Sequence, residues 1–451
     1  EDNPIASFEY FDSGLGDAKM SVLTRGMVKS GPGGYLRSVQ HYNGLGQVIQ
    51  TQVQGLVLGE ERLIFADSSY NSQGKAERAS VPYERGISYS DTENSLDYNY
   101  RAPSWNVPYT QTIYDALGRP KESIVTDPQR SFEDRITKMS YDGWDTTIID
   151  AEGHQAKTYN DALGRTIKTE IYTGENPYTL YTAIEYEYDM LDNLLTMTEL
   201  NDLKNNNDDI VSSMGYDFLG RKINMSDPDL GFWEYDYDDN GNLVWRMDAI
   251  GNEITFEYDG LNRLEKKIYP DGTEVSYEYD TEILDADCES YIVKGRRTKM
   301  EDSTGQSLYC YDQRGRTTKT SKEIEKQTAI TEYTYNLDDS IHSIIYPDGE
   351  KVFQEYDSVG RLNRIAGLAV YLTSTDFDEL GNLKSADFGN IQIDYEYDPT
   401  GRLEKSYAYG KTDLMRLSYE QDKIGNIENI YDLLDRSNDL IFTYDDLNRL
   451  T

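Results

Sequence analysis

The sequence predicts an all-β protein, built as one long antiparallel meander of repeated hairpins. Short runs alternate aromatic and polar residues, which places the rings on one face of a strand. After each run a residue that tolerates positive φ recurs at a fixed position, and a second kind of turn falls between those positions.

The first kind of turn opens with tyrosine, usually followed by aspartate, in YDALGR (Tyr114 to Arg119), YDFLGR (216), YDDNGN (237), YDGLNR (258) and YDQRGR (311). It continues in YDSVGR (356), FDELGN (377), YDPTGR (397) and YDDLNR (444). Starts at 237, 258 and 279, and at 335, 356 and 377, are 21 residues apart. Longer intervals elsewhere imply longer loops on the same unit.

The fifth column of this motif holds Gly118, Gly164, Gly220, Gly241, Asn262, Gly315, Gly360, Gly381, Gly401 and Asn448. Gly and Asn enter the left-handed region at least cost, so these ten residues are the expected structural turn positions. The aspartate before them is expected to accept backbone N–H groups as an Asx-turn.

The second turn is written PDG at 270–272 and 347–349 and DPDLG at 227–231. About six residues separate successive turns, giving strands of about 20 Å. A ribbon of more than two dozen such strands is expected to coil or close on itself.

Paired rings precede the turns at Tyr235 and Tyr237, Phe256 and Tyr258, Tyr277 and Tyr279, Tyr309 and Tyr311, and Tyr395 and Tyr397. They are expected to form an aromatic ladder, the tyrosine of one unit lying over that of the next. The arginines closing the motif, such as Arg165 and Arg316, are expected to form a second ladder against the acidic side chains.

Composition narrows the function. With 82 acidic against 44 basic residues, the formal charge of −38 leaves no basic stripe for nucleic acid. No apolar run is long enough to span a bilayer, and the chain is expected to be soluble. The first twenty residues lack the pattern of a signal peptide.

Candidate chemistry is sparse. His41, His154 and His342 fall in different units and read as ordinary strand or turn residues, with no nucleophile or metal partner brought to them by spacing. Asp236 to Asn242 imitates the start of a calcium loop, but its twelfth position is Met247 and lacks the bidentate Glu. Paired carboxylates are as frequent as 82 acidic residues would produce by chance. No catalytic residue, metal or cofactor is implied. For Cys288 and Cys310, a single bridge and two unlinked thiols both fit, the thiols being the preferred reading.

The motif YDxxGRL, then a PDG or DxxG turn, then YxYD, resembles the YD-repeat or RHS family over roughly residues 110–451. Residues 1–110 read as an irregular pre-repeat region with a degenerate copy, YNGLGQVIQTQVQG from Tyr42, and 111–451 as the repeat domain. The resemblance implies a sheet spiralling into a hollow shell, as in Rhs and Tc-type toxins, with teneurins and wall-associated proteins more distant. It further implies a secreted or cell-surface protein that encloses and helps deliver a C-terminal toxin or effector, partnered by that cargo or by a delivery complex. The alternative is an adhesion protein that binds glycans or proteins through its wall. The family's closing core motif is missing, and the chain stops inside a repeat at YDDLNRLT, so Thr451 is expected not to be the native terminus.

Overall fold

The computed structural model describes residues 6–11, 20–27, 35–57, 60–88, 99–128, 134–174, 177–200, 209–283 and 293–451. Regular structure among them is strand throughout, apart from a single 3-10 turn at Arg436–Asn438. One antiparallel sheet of 30 strands runs from Ala6–Phe11 to Val370–Leu372, and a second of seven runs from Ser374–Phe377 to Leu440–Ile441.

Almost every strand pairs with the one before and the one after it. Glu253–Tyr258 lies beside Leu264–Ile268, which lies beside Glu274–Tyr279. Alternating aromatic, β-branched and polar residues suit such strands because each side chain faces opposite to its neighbour.

Two places depart from the meander. Glu60–Tyr70 pairs through its C-terminal end with Ala76–Ser80 and through its N-terminal end with Tyr83–Ser88. Between the two sheets the ladder breaks at Thr373, and side chains bridge the gap. Thr375 donates its backbone N–H to Asn363 Oδ1 (3.0 Å) and its hydroxyl to the Leu362 carbonyl (2.8 Å).

The first 110 residues hold seven of the strands, and Ala76–Ser80 pairs directly with Tyr109–Tyr114, so the sheet runs unbroken across residue 110. Here the wall also has a covered face. Leu63, Phe65 and Tyr83 form a buried apolar cluster with Val107 against it. Gln50, Gln52 and Gln54, two residues apart on one strand, are buried beside it.

Elsewhere most strand residues are half-buried on both faces. The accessible surface is 26763 Å², whereas a compact protein of this length would show about 17,000 Å². Such an excess fits a single-layer wall rather than a filled core.

Cys310 is buried and disulfide-bonded, which corrects the reading of two unlinked thiols. Cys310 pairs in register with Lys319. The only other cysteine in the sequence, Cys288, lies outside the described residues.

Candidate functional site: the turn spine and the seam

The repeat motif builds a five-residue turn. In YDALGR the Asp115 N–H donates to the Arg119 carbonyl (2.9 Å) and the Gly118 N–H donates to the Asp115 carbonyl (3.0 Å). Asp115 Oδ1 accepts from the N–H of Leu117 and of Arg119, both at 2.9 Å, and Oδ2 accepts from Arg119 Nε (2.8 Å). One carboxylate thus satisfies three donors. The Arg119 backbone donor is the main cause that holds the Asp115 carboxyl below its usual range.

Asp217, Asp259 and Asp445 repeat the arrangement with Arg221, Arg263 and Arg449. Where the motif ends in Asn, as at Asn193, Asn242 and Asn382, the amide replaces the guanidinium. The ten predicted turn residues, Gly118 through Asn448, all have φ between 60° and 90°. A register shift precedes the tyrosine of nearly every copy, as at Glu257/Tyr258 and Glu278/Tyr279. This is a type I turn closed by a bulge whose first residue is left-handed.

Successive turns are tied by a second set of contacts. Most motif tyrosines donate the hydroxyl to the carbonyl of the first strand residue after the preceding turn, whereas Tyr216 contacts Met214 Sδ and Tyr42 donates to Gln40 Oε1. Tyr237 reaches Lys222, Tyr258 reaches Leu243, Tyr279 reaches Leu264 and Tyr397 reaches Leu383, at 2.9 to 3.0 Å. Tyr311 does the same to Arg297 (2.7 Å). Burial of the ring pushes the Tyr258 hydroxyl up.

Motif arginines before the last copy also reach forward. Arg165 Nη1 donates to the Asp189 carbonyl and to Asp192 Oδ1, Arg221 to the Asp238 carbonyl, and Arg316 to the Asn336 carbonyl and Asp339. The same guanidinium lies over the next ring: Arg221 is 5.0 Å from the centroid of Tyr237, Arg263 4.4 Å from Tyr279 and Arg316 4.6 Å from Tyr335.

The aromatic ladder therefore differs from ring-on-ring stacking between units. Motif tyrosines stand on every second strand, about 10 Å apart, too far for contact, and a guanidinium fills the interval. Ring contacts occur within a strand instead: Tyr395 with Tyr397 and Trp233 with Tyr235, both at 6.4 Å. Arg297 lies against both Tyr277 and Tyr309, and Arg296 against Tyr311. Phe256 stands opposite Lys267 in the register.

Copies of the turn at Gly74, Gly153 and Gly425 escaped the sequence reading. Gly74 in YNSQGK has φ 74° and the same bonds from Asn71, and its pattern matches YNGLGQ closely enough to have been found. Gly425 follows a motif in which Gln421 replaces the tyrosine. Gln421 Nε2 still donates to the expected carbonyl, that of Leu403 (3.0 Å). Gln421 also lines a cavity of about 350 Å³ with Val125, Arg135, Leu403 and Tyr419.

The histidines have separate settings. His154 Nδ1 contacts Asp150 Oδ2 (3.0 Å) within a turn, and His342 packs edge-on against Phe353. His41 is fully buried in a polar network: its Nδ1 is 2.7 Å from Ser21 Oγ and its Nε2 is 3.0 Å from Gln52 Nε2. Gln50 links onward to Asp67 Oδ1 (2.6 Å), and Asp67 Oδ2 accepts from the Tyr83 hydroxyl and from the Ser104 N–H. Carbonyls of Asn99 and Arg101 accept from Gln52 and Gln50, so the chain from Asn99 to Ser104 straps across the network. Burial lowers the His41 pKa to about 4. Asp238, in the calcium-like stretch, spends both oxygens on Asn240 and Asn242 of its own turn. Among the described residues no group of three or more His, Cys, Asp or Glu is arranged to hold a metal.

The contacts most distant in sequence form a seam. Arg135 Nη2 donates to Thr400 Oγ1 (2.8 Å) and the Lys423 N–H to Glu152 Oε1 (2.6 Å). The Gly174 N–H donates to Asp446 Oδ2 (2.7 Å), and Arg449 Nη2 to the Tyr181 hydroxyl (2.6 Å). These pairs are 265, 271, 272 and 268 residues apart. A near-constant interval means that the sheet winds into a spiral with one turn per roughly 270 residues. At each contact a motif turn of the later course rests on the opposite rim of the earlier one. Farther back, the turns around Val359 and Leu380 lie against Val53, Phe65 and Pro82.

A profile of the RHS Repeat family matches residues 237–274, two of the units described above. No curated protein matches the chain in sequence. Its fold is that of solved structures of low sequence identity: a crystal structure of TcdB2-TccC3 superposes with a TM-score of 0.80 over 99% of the chain at 16% identity. A Tc holotoxin pore from Photorhabdus luminescens superposes with a TM-score of 0.78 over 96% at 16% identity. The chain spans about a quarter of the length of each, 25% and 24% respectively.

Proposed function

We propose that this chain is a non-enzymatic wall segment of an RHS shell, which encloses and helps deliver a toxin or effector polypeptide encoded C-terminal to it in a secreted protein. The seam carries the reading: a single-layer sheet that returns onto its own rim after about 270 residues bounds a volume instead of presenting a flat surface. Its side chains are spent on holding the wall, since the turn carboxylates bond within their own turns and the guanidiniums and ring hydroxyls reach neighbouring units. The likeness to TcdB2-TccC3 in fold supports the same use.

Protection is the mechanism this implies. A wall of hydrogen-bonded strands excludes proteases from whatever it surrounds, and release requires the wall to open. Limited proteolysis of the full natural protein tests this, following peptides from the polypeptide C-terminal to Thr451. They should be cut at least tenfold more slowly than in that polypeptide made alone. Equal rates would refute enclosure. Exposed rings such as Trp144, 64% accessible, supply a surface for the adhesion reading. That reading predicts equal cutting together with saturable binding of the chain to glycans or cells.

A further inference from the structure

The strap over residues 99–104 belongs to no strand, and side chains of the sheet hold its backbone. Gln52 Nε2 donates to the Asn99 carbonyl (3.0 Å), and the Gln50 amide exchanges two bonds with the backbone of Arg101 (2.9 and 3.1 Å). Arg85 Nη2 donates to the Ala102 carbonyl (2.6 Å), and Asp67 Oδ2 accepts from the Ser104 N–H (2.9 Å). Gln52 also donates to Gln50 Oε1 (2.8 Å) and Gln50 to Asp67 Oδ1 (2.6 Å), so the anchors are linked to one another. His41 stands at the head of the series.

These bonds fix the state of that ring. Gln52 Nε2 faces three acceptors, His41 Nε2, Gln50 Oε1 and the Asn99 carbonyl, so His41 Nε2 is bare and Nδ1–H donates to Ser21 Oγ. A proton on Nε2 would set donor against donor. Gln52 can accept it only by turning its carboxamide, which brings Oε1, now without a hydrogen-bond partner, to the ring. The turned oxygen then opposes the Asn99 carbonyl and Gln50 Oε1, two further acceptors, and the tethers through Gln52 and Gln50 fail together. Neither ring nitrogen is bonded to a carboxylate that would offset the charge. The titratable groups around the network are Tyr100, edge-on to the ring at 5.9 Å, Arg101 in the strap, Arg37 on the ring's own strand, and Asp67, Tyr83 and Arg85 beyond Gln50.

We propose that the strap is an acid-released latch, closed while His41 is neutral and opened when the ring takes up a proton, with the strands beneath it still paired. The ladder between Val48–Val57 and Glu60–Tyr70 runs through backbone bonds that the proton does not touch. Burial lowers the pKa of the closed ring from 6.5 to about 4. The closed form therefore refuses a proton that the open form accepts, and opening is favoured about twentyfold more at pH 5 than at pH 7. Opening frees the strap and uncovers Gln50, Gln52 and Asp67. Every bond involved lies within this chain, and none depends on what the shell holds.

Hydrogen exchange of the 451-residue chain, read by mass spectrometry as protection factors to remove the intrinsic pH dependence, tests the latch. Peptides containing Arg101 and Ser104 should lose protection about twentyfold from pH 7 to pH 5, while peptides from Val48–Val57 keep theirs. In His41→Gln the protection of the strap should no longer change over that range. Asp67→Asn, which keeps an acceptor for the Ser104 N–H, should retain the fall, and it decides the same point if the first variant misfolds. Unchanged strap protection in the wild type, or strap and ladder losing protection together, would overturn the proposal. So would a fall that persists in His41→Gln or vanishes in Asp67→Asn, since either assigns the release to a group other than His41.

Discussion

Acid should weaken this protein through His41 before it reaches the turn aspartates. His41 is fully buried, and its pKa falls from 6.5 to about 4. At pH 7 the ring is neutral in both the folded and unfolded chain and contributes no pH dependence. As pH falls through 6.5 the unfolded chain takes up a proton that the folded chain refuses, so stability drops until about pH 4, below which both forms are protonated. The full shift corresponds to about 3 kcal/mol, of which about 2 kcal/mol is lost by pH 5. The turn carboxylates act lower: with folded pKa values below 3.8, as for Asp115 and Asp259, their stabilisation is present above that value and is lost as pH falls through it. The assay is urea unfolding of the wild type and of His41→Gln at pH 7, 6 and 5. The variant will be weaker at pH 7, having lost the packing of the ring. Between pH 7 and 5 its stability should nevertheless fall by about 2 kcal/mol less than that of the wild type. Parallel pH dependences for the two proteins would refute the reasoning.

Three further outcomes are expected. Asp217→Ala removes the acceptor for the Leu219 and Arg221 N–H groups and for Arg221 Nε, and should lower the urea midpoint only modestly, since the turn donors can turn to water. Gly305→Ala should cost more than about 3 kcal/mol or prevent folding, because the new Cβ would lie 1.8 Å from the Glu323 carbonyl oxygen, a backbone atom. Expression and a thermal melt decide it. Gly360→Val should cost more than about 1 kcal/mol through its φ of 87°. By contrast Ser358→Ala in the same turn should be neutral or mildly stabilising, since its buried hydroxyl has no hydrogen-bond partner. Equal melting temperatures for those two variants would contradict the turn assignment.

Turns were the legible part of the sequence, because a positive φ and an Asx acceptor restrict residue choice at single positions. That is why Gly118 and Asn262 could be named while Gln421, which keeps the tyrosine's hydrogen bond with a different side chain, could not. The hairpin order followed from the turns. Ring spacing was misjudged: tyrosines two residues apart in sequence share a face, but nothing in that spacing shows that the next unit's ring stands two strands away with Arg263 or Arg316 between. The seam left no trace that one sequence could show. Arg135 and Thr400 are 265 residues apart, and their meeting depends on twist accumulated over many strands. The His41 network was hidden for a related reason. Gln50, Gln52 and Gln54 look like a solvent-facing stripe, and only the strap from Asn99 to Ser104 turns that stripe inward.

The interval of roughly 270 residues between seam partners makes the girth of the shell a matter of counting. Adding one 21-residue unit between Tyr237 and Tyr279 would leave the bonds within each turn intact, since along the sheet each unit pairs only with its neighbours. It would nonetheless shift every later tip by one hairpin, about 10 Å, along the rim beneath. Arg449 would then face a different hairpin from the one that presents Tyr181. Wall size can change only in whole staves, as in a cooper's barrel, and every stave gained or lost must be matched by a re-cut joint one full circuit away.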